Sequence, residues 1–229
     1  IMQKYLNLGK RLFPICRSIT GNGVRTTLKI LKEFMPKLKI YEVKSGTKVF
    51  DWKVPPEWNI KDAYIITPSG RKIANFKKNN LHVLNYSIPI NKELSLNELK
   101  KNIYTLPRLP SAIPYVTSYY KRNWGFCLSY NEFKNLKKGK YKVFINSTLS
   151  KGNLVYSNTL IPGKSKKEIL LSTYLCHPQM ANHELSGPLV WSALYKIIKE
   201  TGPHRYSYRF LIGPENIGSA AFLHYSKKK

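Results

Sequence analysis

The chain has 229 residues, 42% of them hydrophobic, enough to bury a sizeable core and to exclude wholesale disorder. No apolar run is long enough to cross a bilayer, and the opening Ile1-Met2-Gln3-Lys4-Tyr5 lacks both the apolar core and the cleavage site of a signal peptide. The net charge of +27 comes overwhelmingly from scattered lysines, with arginine at only eight positions, so the clustered Arg forks that read nucleic-acid bases are missing and a solvated surface is expected.

Leu6, Leu8, Leu12 and Phe13 give the opening segment one apolar face, and Pro14 stops it, so a helix is expected there. After the loop Cys16-Arg17-Ser18-Ile19-Thr20-Gly21-Asn22-Gly23, the residues Val24, Leu28, Leu31 and Met35 follow helical spacing. That second helix runs over 24–34 and ends before Pro36. Residues 40–43 and 48–54 read as strands around a Ser45-Gly46 turn. From about 55 to 149 the texture is mostly β, with short strands expected at 63–66, 81–86, 114–120, 124–128 and 141–145. One short amphipathic helix is expected over 94–103, with Ser95 as its N-cap and Glu98 at the capping-box position.

Beyond residue 150 a strand is expected at 154–161. The continuous apolar run 169–176, bounded by Gly163-Lys164-Ser165 and by His177-Pro178, has the pattern of a central strand covered on both faces. A helix follows over 186–199, with Leu189, Val190, Leu194, Ile197 and Ile198 inward and Thr201-Gly202-Pro203 as its stop. A strand over 206–212 then leads to Gly213-Pro214-Glu215 and a helix from Ile217. Strand, helix, strand, helix points to a three-layer α/β domain.

In open α/β sheets functional groups gather past the carboxyl ends of strands. Two strands here end in reactive residues, one in His177 and the other in Glu215, and the loop between them brings Asn182, His183 and Glu184 ahead of Ser186-Gly187. Converging imidazoles and carboxylates suit zinc, which takes three protein ligands and keeps one position open, with a nearby carboxylate as proton acceptor. On the residues alone plainer roles stay open. His177 could bond its own loop, His183 could face solvent, and Glu184, Ser186 and Glu215 could serve helix N-termini. Cys16, Cys127 and Cys176 are odd in number and widely spaced, which is no disulfide framework, and a cytoplasmic location is expected. Cys176 adjoins His177, but neighbours in a strand point to opposite faces, so a cysteine nucleophile is not expected.

Several stretches carry a resemblance: Leu12-Phe13-Pro14-Ile15-Cys16-Arg17-Ser18-Ile19-Thr20-Gly21, Ser45-Gly46-Thr47-Lys48-Val49-Phe50-Asp51-Trp52, Cys176-His177-Pro178, Glu184-Leu185-Ser186-Gly187-Pro188 and Pro214-Glu215-Asn216-Ile217-Gly218. In this order, and over nearly the whole chain, they resemble a bacterial family of aminopeptidase-like proteins that is related to the di-zinc exopeptidases and often named in connection with polysaccharide biosynthesis. The resemblance implies a three-layer zinc-aminopeptidase-like α/β domain with an inserted small β-rich domain. Residues 1–47 would form its N-terminal helices, 48–150 the insertion and 151–229 the start of the α/β core. The rest of the family's ligand pattern lies further downstream, so a chain truncated at its C-terminus is expected.

By the same resemblance His177 matches the first zinc-binding histidine, His183 falls where relatives place the aspartate that bridges two zinc ions, and Glu215 matches the general base. Backbone N–H groups at Ser186 and Gly187 would face the oxyanion, with Asn182 and Glu184 supporting the ligands. Gln179 replaces an aspartate that orients the histidine, and Asn216 replaces a glutamate ligand. The implied activity is zinc-dependent hydrolysis of a peptide or amide bond near a free amino terminus, on a peptide or small amide substrate, with up to two zinc ions in a complete member. Two other readings are a catalytically inactive relative that binds a glycan precursor or a protein partner, and a basic polyanion-binding module. The last predicts nucleic-acid binding that survives physiological salt.

Overall fold

The computed structural model describes residues 2–226. The chain divides into two compact units, Ile1–Glu57 with Lys151–Lys229, and Trp58–Ser150. No helix among the described residues is long and apolar enough to cross a membrane.

The first unit opens with α1 (Met2–Leu12) and α2 (Asn22–Phe34). Helix α2 buries Val24, Leu28 and Leu31 on one face, and Leu8 and Leu12 of α1 join the same core. The loop between the helices presses on the first turn of α2: a Cβ at Gly23 would lie 1.9 Å from the Cys16 carbonyl oxygen, so only glycine lets the two backbones approach this closely. Strand β1 (Lys39–Lys44) follows, then a hairpin, β2 (Lys48–Val49) and β3 (Trp52–Lys53). A single strand was expected over 48–54. Instead Phe50 takes a left-handed φ of 53°, the chain reverses, and Val49 pairs with Trp52. Val49 and Val54 bury against Val43, Leu154, Tyr156, Leu211 and Ala221, which places this hairpin in the first unit.

The second unit contains β4 (Glu57–Ile66) from Trp58 onward, β5 (Lys72–Ile73), β6 (Ile90–Ser95), α3 (Leu96–Lys100), β7 (Ile103–Tyr104), β8 (Phe126–Cys127), α4 (Tyr130–Lys134) and β9 (Lys140–Ser150). Its main sheet has the order β5-β4-β9-β6. Tyr141, Val143 and Ile145, every second residue of β9, all point into a core shared with Ala63, Ile65, Phe126 and Leu128. The expected helix over 94–103 is shorter, because residues up to Ser95 pair with β9, and the Ser95–Glu98 capping box sets the helix start at Leu96. Ser95→Ala is expected to raise amide exchange at Glu98 about five- to tenfold, read by hydrogen–deuterium exchange. The strands expected at 81–86 and 114–120 are a 3₁₀ turn over Asn80–His82 and isolated bridges, Val83 to Phe126 and Asn85 to Thr117. The Asn79 side chain caps that turn by accepting the Leu81 N–H at 3.0 Å.

The chain returns to the first unit with β10 (Asn153–Ile161), β11 (Glu168–Tyr174), α5 (Ser186–Glu200), β12 (Ser207–Gly213) and α6 (Ile217–Ser226). The sheet order is β1-β10-β12-β11; β10 runs antiparallel to β1 and β12, while β11 and β12 are parallel, with α5 as their crossover. Alternation along the strands builds three layers. Val155, Phe210 and Ile212 face α1, α2 and α5, whereas Leu154, Tyr156 and Leu211 face α6 and the hairpin.

Two expectations need correcting here. Among the described residues strand β11 pairs with β12 alone, and Ile169 and Leu170 are 41% and 52% exposed, where a strand covered on both faces was expected. On α5 the expected inward Val190 and Ile197 face solvent, and the buried stripe runs through Pro188, Trp191, Ser192 and Tyr195.

Candidate metal centre at two parallel strand ends

Because β11 and β12 are parallel and in register, with Tyr174 opposite Gly213, they deliver their following residues to one edge. The Leu175 N–H donates to the Gly213 carbonyl at 3.0 Å. One residue on, the Glu215 N–H donates to the Cys176 Sγ at 3.2 Å, so the loops carrying His177 and Glu215 are tied together. Regular pairing has ended by this point. Cys176 and His177 therefore do not alternate as strand neighbours would, and Sγ lies 3.3 Å from the His177 Nδ1. Burial pushes the Cys176 thiol far above the usual range, with the Glu184 charge adding to the effect, which disfavours the thiolate that a nucleophile needs.

His177 is 8% exposed and stands between two carboxylates. Its Nδ1 is hydrogen-bonded to the Glu184 Oε1. Its Nε2 lies 3.8 Å from the Glu215 Oε2, too far for a hydrogen bond and close enough for both to reach one ion. Glu184 is 1% exposed, and its second oxygen accepts the Cys176 N–H. Its inward direction comes from the backbone: Ala181–Leu185 forms a π-helical turn that runs straight into α5. Glu184 thus serves His177 rather than the helix start.

His183 is exposed on the same turn, its ring 4.6 Å from that of His177 and 5.5 Å from that of Tyr174. Among the described residues, two sets of three side chains have ligand atoms within 4.8 Å of one another: His177, His183 and Glu184, and Cys176, His177 and Glu215. Imidazole nitrogen with carboxylate oxygen is the donor chemistry that zinc accepts. A cavity of about 720 Å³ lined by Tyr41, Tyr156, Arg209 and Phe222 contains none of these residues.

The helix start departs from expectation. The Ser186 N–H donates to the Ala181 carbonyl and its hydroxyl to the Asn182 carbonyl at 3.2 Å, so both donors of Ser186 hold the joint between the π-turn and α5 and neither is open to an oxyanion. The Asn182 side chain is exposed. At Gly187 a Cβ would lie 2.5 Å from the Thr173 Oγ1, so glycine here lets α5 settle on β11. Asn216 has a left-handed φ of 57°, a conformation asparagine tolerates better than glutamate does.

Arg17 also belongs to the site, although its sequence position alone does not say so. This residue, in the loop before α2, is 1% exposed; its Nε donates to the His177 carbonyl at 3.1 Å and its Nη1 to the Leu12 carbonyl at 2.8 Å. Burial pulls its pKa down, and the neighbouring Glu184 charge raises it again. The available signal was an arginine set among Pro14, Ile15, Cys16 and Ile19 in a chain that otherwise prefers lysine.

A family model described as a domain of unknown function, DUF4910, matches residues 6–229. A Clostridium acetobutylicum protein, provisionally named a polysaccharide biosynthesis protein with aminopeptidase-like domain, is 52% identical over 223 residues, which is 97% of this chain and 51% of that one. The crystal structure of a provisionally named peptidase from the same organism superposes with a TM-score of 0.95 at 50% identity, covering 99% of this chain and 53% of that one. A zinc aminopeptidase from Bacillus subtilis superposes with a TM-score of 0.61 at 12% identity over 96% of this chain and 63% of that one, a likeness of fold. The chain spans about half the length of the Clostridium relatives. In sequence over nearly its whole length it belongs to the DUF4910 family, and its α/β layers have the zinc-aminopeptidase fold.

Proposed function

We propose that this chain carries part of a zinc-dependent aminopeptidase-like hydrolase that cleaves a peptide or amide bond next to a free amino terminus. The observation that carries the reading is the approach of the His177 Nε2 to the Glu215 Oε2, 3.8 Å apart at the ends of two parallel strands, with the His183 ring 4.6 Å from that of His177. The aminopeptidase-like name of the Clostridium relative and the zinc-aminopeptidase fold support it.

His177 and His183 would hold the metal. When bound, zinc supplies Lewis-acid polarisation of a substrate carbonyl and of a water. Glu215, with 42% of its side chain exposed, is open to substrate and takes the proton of the attacking water, then returns it to the leaving amine. Buried Glu184 keeps the His177 ring in one orientation. The scattered lysines add only a salt-sensitive attraction to polyanions.

Calorimetric titration with zinc chloride and hydrolysis of aminoacyl-p-nitroanilides test this reading. The chain is expected to bind zinc at micromolar metal, and His177→Ala to weaken binding by at least about 100-fold. Absence of both binding and hydrolysis would instead leave a non-catalytic relative that binds a glycan precursor or a protein partner.

A further inference from the structure

We propose that the cavity on the α6 face of the sheet binds a neutral sugar ring, seated against the Tyr41–Tyr156 pair and hydrogen-bonded by Tyr156, Asn158 and Arg209. The cavity measures about 720 Å³, within the range of small-molecule sites, and its described lining belongs wholly to the first unit. Strand geometry sets its groups side by side. Tyr41 of β1 is the cross-strand partner of Tyr156 on β10, and their rings stack with centroids 5.2 Å apart and planes 14° apart. Asn158, two residues along β10, shares the face of Tyr156. Arg209 of β12 joins them, its Nη1 donating to the Asn158 Oδ1 at 3.0 Å.

Two of these side chains are buried and hold donors that the fold does not use. Asn158 is 7% exposed. Arginine only donates, so the amide oxygen must face Arg209, and the NH₂ is turned away to where no described residue accepts from it. Tyr156 is 4% exposed, and its hydroxyl has no hydrogen-bond partner among the described residues. Burial pushes its phenol up to about 12, with Tyr41 and Tyr225 adding to the effect, so at neutral pH it is an uncharged donor. Arg209 commits Nε and Nη2 to Glu168 at 2.6 and 2.7 Å, which leaves one N–H on each terminal nitrogen. Buried polar groups are paired as a rule, so unused donors converging on one cavity mark where a ligand's oxygen atoms complete the set. The charges there are already balanced: Glu168 by Arg209, and Glu42 by Arg25 at 3.2 Å. The ligand is therefore neutral. It needs an apolar face for the tyrosine rings and Phe222, and a rim of oxygens for the donors. A pyranose has both, with C–H groups on its face and hydroxyls around its edge that accept from Asn158 and Tyr156 and donate to Glu168.

None of His177, His183, Glu184 and Glu215 lines this cavity, so the test is independent of the hydrolase reading. Maltose, cellobiose and N,N′-diacetylchitobiose are titrated into the chain and followed by ¹H–¹⁵N correlation spectra. At least one is expected to bind with a Kd of about 1 mM or tighter. Its shifts should centre on the amides of Tyr41, Tyr156, Asn158 and Arg209, with NOEs from sugar ring protons to the Tyr41 or Phe222 ring. Tyr156→Phe is expected to weaken that binding about 3- to 10-fold. The urea midpoint of the ligand-free variant should not fall, because the hydroxyl makes no bond within the fold. Tyr41→Leu keeps the apolar bulk but loses the aromatic face, and is expected to weaken binding about tenfold. The proposal is overturned if no sugar of the three shifts these amides at about 10 mM, or if the shifts centre on His177 and Glu215 instead. A lower urea midpoint in Tyr156→Phe overturns it too, since the fold would then be using that hydroxyl. Tighter binding of adenosine at the same residues overturns the sugar assignment.

Discussion

On the proposed hydrolase reading, replacing Glu215 with glutamine is expected to lower turnover of aminoacyl substrates by about 10²- to 10⁴-fold while zinc binding is retained. The geometry behind this result is the position of the side chain: it is held at the loop by its own N–H on the Cys176 Sγ, and its carboxylate points past the His177 Nε2 at 3.8 Å. Glutamine fills the same volume and cannot accept a proton at neutral pH. Turnover measured beside calorimetric zinc affinity separates the two roles open to a carboxylate in this place. A parallel loss of zinc would make Glu215 a ligand instead of the base.

Phe210→Ala is expected to destabilise the chain by about 3–5 kcal/mol, measured by urea unfolding. Phe210 is fully buried on β12, its ring 5.6 Å from that of Trp191 and 5.3 Å from that of Tyr195, both on α5. The crossover helix is pinned to the sheet there, and the same helix and strand carry the segments that bring Glu184 and Glu215 to His177. The variant is therefore also expected to lose zinc affinity without any change in a ligand.

The layers were legible in the sequence because they rest on periodicity. Val24, Leu28 and Leu31 at helical spacing, and the apolar runs of β10 and β12, state their buried faces locally. Residues 81–86 and 114–120 misled because apolar and aromatic side chains fit any half-buried surface, not only a strand. Tyr86 stacks on Trp58 with ring centroids 5.8 Å apart and meets Tyr119 edge-on at 5.2 Å, so these residues form an aromatic cluster on irregular backbone. Likewise the apolar run of β11 shows a strand but cannot show which strands will flank it. At the site, His177 and Glu215 were readable because strand ends announce themselves. Glu184 was not, since its direction depends on a π-turn, and Arg17 was not, since its partner arrives from the far end of the sequence.

The open edge of β11 gives the lysine excess a second meaning. Among the described residues β11 pairs with β12 on one side, and with Ile169 and Leu170 exposed its other side could template a strand from another copy of this chain. Lys164, Lys166 and Lys167 stand exposed at its entrance, and the chain carries a net charge of +27. Two such edges would have to meet at about 5 Å, the spacing of paired strands. At about 0.1 M salt the Debye length is about 10 Å, so the repulsion still acts at that distance; near 1 M it shrinks to about 3 Å and the guard is gone. In a solution of this 229-residue chain, the charge that looks like an appetite for nucleic acid would act on this strand as colloidal protection, and only while the solution is dilute in salt.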